Sequence, residues 1–145
     1  KYDNRPYLAK TISRLMVEKL NADHSEIFSN IDFFVPIPLF AARQREREFN
    51  QSNALAQRLS QFCGKPVVSA LKRTRNTKPQ ALLNNKNRLN NLDGAFQYVD
   101  RYNCKNKHLL IIDDVVTTTA TVREASKALK ISGAAKISVL AFAKG

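Results

Sequence analysis

The chain has 145 residues, of which 43% are hydrophobic and 25% are charged, and this composition predicts a globular domain with a core of its own. Its 24 basic and 12 acidic residues give a formal net charge of +12, which favours partners that carry phosphate. No apolar run reaches the roughly 18 residues of a membrane span, and the two cysteines lack the spacing of a zinc site or a disulfide framework.

The positive charge is concentrated in the middle of the chain. No acidic residue occurs between Phe49 and Leu92. Eight basic residues fall in this interval: Arg58, Lys65, Lys72, Arg73, Arg75, Lys78, Lys86 and Arg88. Such a field attracts phosphate-bearing partners, nucleic acid among them, in a salt-dependent way. The alternative interpretation is a solvated surface that is rich in lysine.

Helix and strand patterns alternate along the first half of the chain. Apolar residues at helical spacing predict an amphipathic helix over residues 8–20. The apolar run at 31–37 predicts a buried strand that ends at its prolines. A second helix is predicted from Asn50 to Cys63, and Gly64 ends it. Its inward face is predicted to consist of Ala54, Leu55, Leu59 and Phe62. A short strand follows around Val67 and Val68.

The second half continues the alternation after an irregular excursion from Arg73 to Asp93. Strands are predicted at 95–99, 107–112 and 136–142, with a helix at 120–132 between the last two. Strands that alternate with helices predict an α/β fold with a mainly parallel sheet. No linker or repeat interrupts the pattern, so residues 1–145 are expected to form one domain.

The stretch 108–121, HLLIIDDVVTTTAT, carries the densest chemical signal. Asp113 and Asp114 end an apolar run, and the carboxyl end of a buried strand is where open α/β sheets bind ligands. Four threonines follow and open a helix, whose first N–H groups suit a phosphate. Ordinary helix capping is the alternative interpretation, although capping needs only one such residue. The combination of acids and hydroxyls indicates a nucleotide-type site.

This stretch resembles the PRPP-binding signature of type I phosphoribosyltransferases. The resemblance implies that Asp113 and Asp114 are the catalytic acids, which bind the ribose hydroxyls. It assigns the 5′-phosphate to a loop that consists of Thr117, Thr118, Thr119, Ala120 and Thr121. Thr119 stands where the family has glycine, and a β-branched residue resists the positive φ that glycine permits. We therefore expect phosphate to be bound by the neighbouring amides and hydroxyls, with a weaker case for catalysis.

Three further segments narrow the resemblance to one family. VPIPL at 35–39 is followed by alternating arginines and Phe-Asn-Gln, at Arg43, Arg45, Arg47, Phe49, Asn50 and Gln51. Then comes a spaced polar series, at Thr77, Gln80, Leu83, Arg88 and Asn91, closed by Ala95 and Phe96. In this order and spacing, the chain resembles the ComF family of phosphoribosyltransferase-like proteins. The family's Arg-Gly-Phe-Asn-Gln has Glu48 in place of its glycine.

The resemblance implies a fold and a set of roles. The fold is the type I phosphoribosyltransferase fold, a mainly parallel sheet of about five strands flanked by helices, with a small hood. A pyrophosphate loop is expected at Pro36, Ile37 and Pro38, although a rigid proline exit from the strand explains them equally well. A flexible loop that closes over PRPP is expected at Arg43, Arg45 and Arg47. Contacts to a base or to nucleic acid are expected in the hood at Arg73, Arg75, Gln80 and Arg88. Mg²⁺ is expected to accompany PRPP, with no metal ligand supplied directly by the protein.

Three functions remain open. The first is a ComF-like protein that binds PRPP or a nucleotide and assists DNA uptake in natural transformation. The second is an active phosphoribosyltransferase of nucleotide metabolism, which would displace pyrophosphate from C1 of PRPP with a nitrogenous acceptor. The third is a non-catalytic regulator that uses the PRPP site as a sensor. The residues reveal no general base, so catalysis is left undecided.

Partners and location follow from the same resemblance. Single-stranded DNA and a helicase-like competence protein are expected partners, and a homodimer is left open. Related proteins carry a four-cysteine zinc module ahead of this domain, and we expect it to be upstream of Lys1 or missing. Free thiols and the absence of a signal segment lead us to expect a cytoplasmic protein.

Overall fold

Two helices and five strands can be followed in the computed structural model, which describes residues 28–40, 50–75, 93–116 and 119–144, together with four isolated residues. Those four (Thr11, Arg14, Leu15 and Glu18) are helical, and the rest of the helix predicted over 8–20 lies outside the described residues. The elements in chain order are β1 (Phe33–Pro36), α1 (Gln51–Cys63), β2 (Leu71–Arg73), β3 (Phe96–Tyr98), β4 (His108–Val116), α2 (Ala120–Lys130) and β5 (Lys136–Lys144).

The central strand of the main sheet is β4, which pairs in parallel with β1 on one side and with β5 on the other. Phe33 lies opposite Leu109, and His108 lies opposite Lys136. A single parallel bridge from Phe34 to Val67 marks the short strand predicted there. Within the described residues the parallel sheet thus has three full strands, whereas the resemblance implied about five.

Alternate residues of β4 pack against helices on opposite faces of the sheet, as the period of a strand requires. Leu109 and Ile111 belong to a cluster with Ala125, Ala128 and Leu129 of α2. Leu110 and Ile112 belong to a second cluster with Leu55, Ala56 and Leu59 of α1. All four β4 residues are almost fully buried, which explains why this strand is apolar throughout. The predicted α/β fold, a parallel sheet flanked by helices, is confirmed.

Helix α1 begins and ends where the sequence predicts. The Asn50 side chain accepts a hydrogen bond from the Asn53 N–H at 3.3 Å, and Gly64 adopts the left-handed conformation with a φ of 67°. The predicted inward position of Phe62 is wrong, because this side chain is 51% exposed. The buried stripe of α1 starts at Ser52 and passes through Leu59 to the half-buried Cys63, which stands one position beyond Phe62.

A second, two-stranded sheet forms from β2 and β3, which pair antiparallel. Leu71 lies opposite Tyr98 and Arg73 lies opposite Phe96. The sequence predicted β3 but missed β2, because three residues with two cations carry no readable strand pattern. Most of the irregular excursion predicted over 73–93 lies outside the described residues. We call the β2–β3 pair the hood.

The structure also bears on membrane-spanning helices and on the state of the cysteines. No helix in the described part of the chain is long and apolar enough to cross a bilayer. Cys63 and Cys104 are free thiols. Burial raises the pKa of both thiols above the ordinary value, so both are protonated and weakly nucleophilic at neutral pH.

The inward face of α1 can be tested with two truncations on the same helix. We expect Leu59→Ala to lower the free energy of unfolding by about 2–5 kcal/mol, because Leu59 is fully buried and the truncation leaves a cavity. Phe62→Ala should change it by only about 0.5 kcal/mol, as is usual for an exposed position. Urea unfolding monitored by circular dichroism measures both. A larger loss for Phe62→Ala than for Leu59→Ala would contradict the packing.

Candidate functional site

The two adjacent carboxylates lie where β4 runs past its neighbour β1. Pro36, the last residue of β1, is paired with Ile112, so Asp113 is the first β4 residue beyond that ladder. On the other side the ladder continues, with Asp113 opposite Ala141 and Val116 opposite Lys144. The strand therefore extends beyond the end predicted at residue 112, because β5 is equally long. On the β1 side, therefore, no described strand pairs with β4 at Asp113.

Asp113 is buried and hydrogen-bonded, with an exposed fraction of 6%. Its Oδ1 accepts from the Ser52 hydroxyl at 3.3 Å and from the backbone N–H of Asp114 at 3.0 Å. Asp114 itself is only half-buried. Sequence reasoning missed Ser52, whose only signal was its position in the first turn of a helix that begins at the same edge of the sheet. The first turn of α1 and the end of β4 thus form one polar centre.

The Asp113 carboxyl has an unusual affinity for its proton. Burial, and then the neighbouring charge of Asp114, raise its pKa from an ordinary 3.8 to about 7. The hydrogen bonds from Ser52 and from the Asp114 N–H stabilise the ionised form and lower the pKa in part. Near neutral pH this group can therefore accept or donate a hydrogen bond. A ligand that supplies hydroxyl donors or a cation would favour the ionised form.

The electrostatics of the start of α2 suit an anion. Thr119 occupies the N-cap position, yet its side chain makes no capping hydrogen bond, and the first turn contains no acidic residue. The positive end of the helix dipole is therefore not neutralised within the helix. The φ of Thr119 is −69°, a conformation that any residue adopts, so threonine in place of the family's glycine causes no backbone strain here. Ala120 is buried, Thr119 is exposed and Thr121 is half-buried.

The residues predicted to form a pyrophosphate loop have no main-chain donor to offer. Pro36 and Pro38 have no N–H, and the Ile37 N–H donates to the Ile112 carbonyl at 3.0 Å. The Ile37 carbonyl accepts from the Asn50 side chain at 2.9 Å. These contacts fit a rigid exit from the strand, tied to the start of α1. Any amide donors to a pyrophosphate must therefore come from further along the chain, from Leu39 onward.

The two described arginines of the hood are engaged within it. The Arg73 guanidinium lies 5.5 Å from the centre of the Phe96 ring, a cation–π contact. Arg75 donates to the Asp93 carbonyl at 2.7 Å. The hood is further tied to α2, because the Gly94 N–H donates to Glu124 at 3.3 Å. Contacts of these arginines with nucleic acid stay a prediction.

A cavity of about 320 Å³ lies between the exit of β1, the first turn of α1 and strand β2. It is lined by Pro36, Pro38, Leu39, Asn50, Asn53, Ser69, Leu71, Lys72 and Arg73. Two of these residues are cationic and none is acidic, so the cavity favours neutral or anionic groups. Lys72, which sequence reasoning did not single out, is its exposed cation.

The remaining predicted site residues lie outside the described part of the chain. These are Thr117, Thr118, Arg43, Arg45, Arg47, Gln80 and Arg88. Among the described residues, no three His, Cys, Asp or Glu side chains are grouped so that they could hold a metal ion. The Asp113–Asp114 pair alone falls short of the six ligands that Mg²⁺ prefers.

Solved structures with this architecture are phosphoribosyltransferases. A purine phosphoribosyltransferase from Pyrococcus horikoshii matches 95% of this chain and 74% of its own length, with a TM-score of 0.56 at 19% identity. A structure described as the allosteric regulatory enzyme of purine biosynthesis matches 92% of this chain and 25% of its own, with a TM-score of 0.60 at 16% identity. The chain therefore has the type I phosphoribosyltransferase fold.

Sequence relatives identify the family within that fold class. No protein-family model matches the chain. The DNA utilization protein YhgH of Escherichia coli K12 is 37% identical over 141 residues, which cover 96% of this chain and 61% of the relative. Competence protein F of Haemophilus influenzae is 31% identical over 147 residues, which cover 99% of this chain and 64% of the relative. The chain thus spans less than two thirds of these relatives. This similarity confirms the resemblance to the ComF family of phosphoribosyltransferase-like proteins.

The raised pKa of Asp113 predicts a specific dependence of stability on pH. A folded-state pKa of about 7 means that the folded protein binds more protons than the unfolded chain between about pH 4 and pH 7. Stability should therefore fall as pH rises through this window and level off above it. Asp113→Asn removes this loss. Urea unfolding at pH 5 and pH 8 should show the variant gaining stability relative to the parent at the higher pH.

Ser52→Ala provides the matched control for this prediction. Loss of the Ser52 hydrogen bond should raise the pKa of Asp113 further, so the decline in stability should extend to higher pH than in the parent. A difference between Asp113→Asn and the parent that stays constant from pH 5 to pH 8 would show that Asp113 does not titrate in this range.

Proposed function

We propose that this domain binds PRPP, or a nucleotide that carries the same phosphoribosyl group, and that it serves a protein that handles incoming DNA. The observation that carries the proposal is the Asp113–Asp114 pair near the carboxyl end of the central strand, with Asp114 six positions before the first residue of α2, Ala120. Carboxylates at this position suit ribose hydroxyls, and free N–H groups at a helix start suit a phosphate.

The residues divide the ligand between them. Asp113 and Asp114 would accept hydrogen bonds from the ribose hydroxyls, with Ser52 holding the Asp113 carboxylate in position. The first N–H groups of α2 and the threonines of 117–121 would bind the 5′-phosphate. Residues 36–38 and the arginines at 43, 45 and 47 would lie near the pyrophosphate. These loop roles rest on the family pattern.

When bound with PRPP, Mg²⁺ would supply positive charge that offsets the charge on the pyrophosphate group. The chain's own part would be to ionise Asp113 when the ligand binds. Because the pKa of Asp113 is about 7, roughly half of the protein carries this proton at pH 7. Binding that favours the carboxylate would release it.

The DNA-handling part of the proposal is supported by the relatives and by charge. One relative is named for DNA utilization and another for competence. The net charge of +12 favours association with a phosphate backbone. We further propose that the protein acts in the cytoplasm, where single-stranded DNA and a helicase-like competence protein would be its partners.

A transferase activity is the second candidate, and the 320 Å³ cavity favours it. The cavity adjoins the first turn of α1, whose Ser52 contacts Asp113, so a nitrogenous acceptor held there would lie near the ribose. Its nitrogen would form a bond to C1 as the bond from C1 to pyrophosphate breaks. The ordinary backbone of Thr119 also removes one argument against catalysis.

Calorimetric titration of PRPP with Mg²⁺ tests the binding site. We expect the parent to bind, and Asp113→Asn and Asp114→Asn each to weaken binding about tenfold or more, the usual loss for a hydrogen bond to a charged group. Titration at pH 7 in buffers with different ionisation heats should show the release of up to about half a proton by the parent.

The two variants separate a ligand contact from a structural effect. Asp113→Asn should abolish the proton release and keep the fold intact. The urea unfolding described above checks that the variant is folded. Unchanged affinity in both variants would contradict the assignment of the acids. No binding by the parent would contradict the proposed ligand.

A further inference from the structure

A group of lysines lies at the edge of the sheet opposite to Asp113. Parallel strands all begin at one edge, and a helix that connects two of them returns its carboxyl end to that edge. Here β4 begins at His108, β5 begins at Lys136 and α2 ends at Lys130. We define the basic edge as Lys65, whose Nζ donates to the Ser29 carbonyl ahead of β1 at 3.1 Å, together with Lys105, Lys107, Lys130 and Lys136. Asp113 is five positions after His108 along β4, so the two edges are about 16 Å apart.

Contacts between the segments before β4 and β5 bring four of these lysines close to one another. The Lys107 carbonyl accepts from the N–H of Ala135 at 2.9 Å and of Lys136 at 3.3 Å. The side chain of Lys105 lies against Gly133, whose N–H donates to the Lys130 carbonyl at 3.1 Å. The loops before β4 and β5 thus hold Lys105, Lys130 and Lys136 around one short stretch of edge.

The positive charge of the basic edge is largely uncompensated. Asp32 forms an ion pair with Lys107 at 3.1 Å, and the His108 N–H together with that lysine holds the pKa of Asp32 below its ordinary value. Lys105, Lys130 and Lys136 are exposed, and their side chains form no ion pair or hydrogen bond with the described residues. The described hood arginines, in contrast, are used within the hood.

We propose that the basic edge binds the phosphate backbone of single-stranded nucleic acid, while the Asp113 edge binds its own ligand at the same time. This proposal rests on the DNA-handling function proposed above. All five cations are lysines, which act as point charges and lack the forked geometry that reads base edges. Binding at this edge is therefore sequence-independent and strongly dependent on salt.

The test compares two triple variants that lose the same charge. The edge variant is Lys105→Gln/Lys130→Gln/Lys136→Gln. The control variant is Arg58→Gln/Lys72→Gln/Arg123→Gln, which removes exposed cations elsewhere, including positions near the cavity and the start of α2. Fluorescence anisotropy with a labelled oligo(dT) strand measures affinity against salt concentration, with and without saturating PRPP and Mg²⁺.

We expect the edge variant to bind at least tenfold more weakly at low salt, with a salt slope reduced by about 2, or about 0.7 for each lost phosphate contact. Replacement of the same three lysines by arginine should preserve binding, and PRPP should not compete. An equal loss of affinity in the control variant would show that net charge alone governs DNA binding. A larger loss in the control variant, or competition by PRPP, would place the DNA strand at the Asp113 edge. Each of these results would overturn the proposal.

Two further outcomes bear on the proposal that the basic edge binds DNA. If the parent does not bind the strand under any salt condition, the proposed DNA-handling function fails as well. The second outcome comes from measuring binding of the parent and of the edge variant to vesicles of phosphatidylglycerol and phosphatidylcholine. Vesicle binding that the edge variant loses, with DNA binding unchanged, would assign the basic edge to a membrane surface and overturn the proposal.

Discussion

The burial of β4 on both edges and both faces is the constraint on which the rest of the structure depends. Leu109, Leu110, Ile111 and Ile112 are enclosed by β1, β5 and the two helices. At about 1.5–3 kcal/mol for each buried side chain, they contribute a large part of the stability of the sheet. Because the strand is anchored in this way, the residues that follow it are held in fixed positions, and a costly carboxylate can be tolerated there.

Asp113 shows how this anchoring serves a binding site. Burial makes its ionised form unfavourable near neutral pH, and the charge of Asp114 adds to that effect. A ligand that stabilises the carboxylate relieves this unfavourable state, so ligand binding and proton release are coupled. The same sheet presents its positive charge at the opposite edge, through loops that precede β4 and β5. The proposed nucleotide site and the proposed surface for a polyanion therefore share no residues.

The sequence predicted what depends on local pattern. The apolar run of β4, the caps at Asn50 and Gly64 and the last strand–helix–strand unit all follow from periodicity and capping chemistry. Contacts between residues that are far apart in the sequence were not predicted. Ser52 meets Asp113 across 61 residues of sequence. Strand β2 exists only because β3 pairs with it. The Ile37 N–H is not available to a ligand because it donates to the Ile112 carbonyl, and this contact could not be predicted from the sequence.

The most direct test of the Asp113 site is a pH titration of its carboxyl carbon by carbon-13 NMR, with Asp113→Asn used to assign the signal. In the free protein the carboxyl should titrate with a pKa of about 7. With PRPP and Mg²⁺ bound, the pKa should fall toward the ordinary range, because the ligand favours the carboxylate. An ordinary pKa in the free protein, or a pKa that does not respond to PRPP, would contradict the claim that this buried acid is the centre of a ligand site.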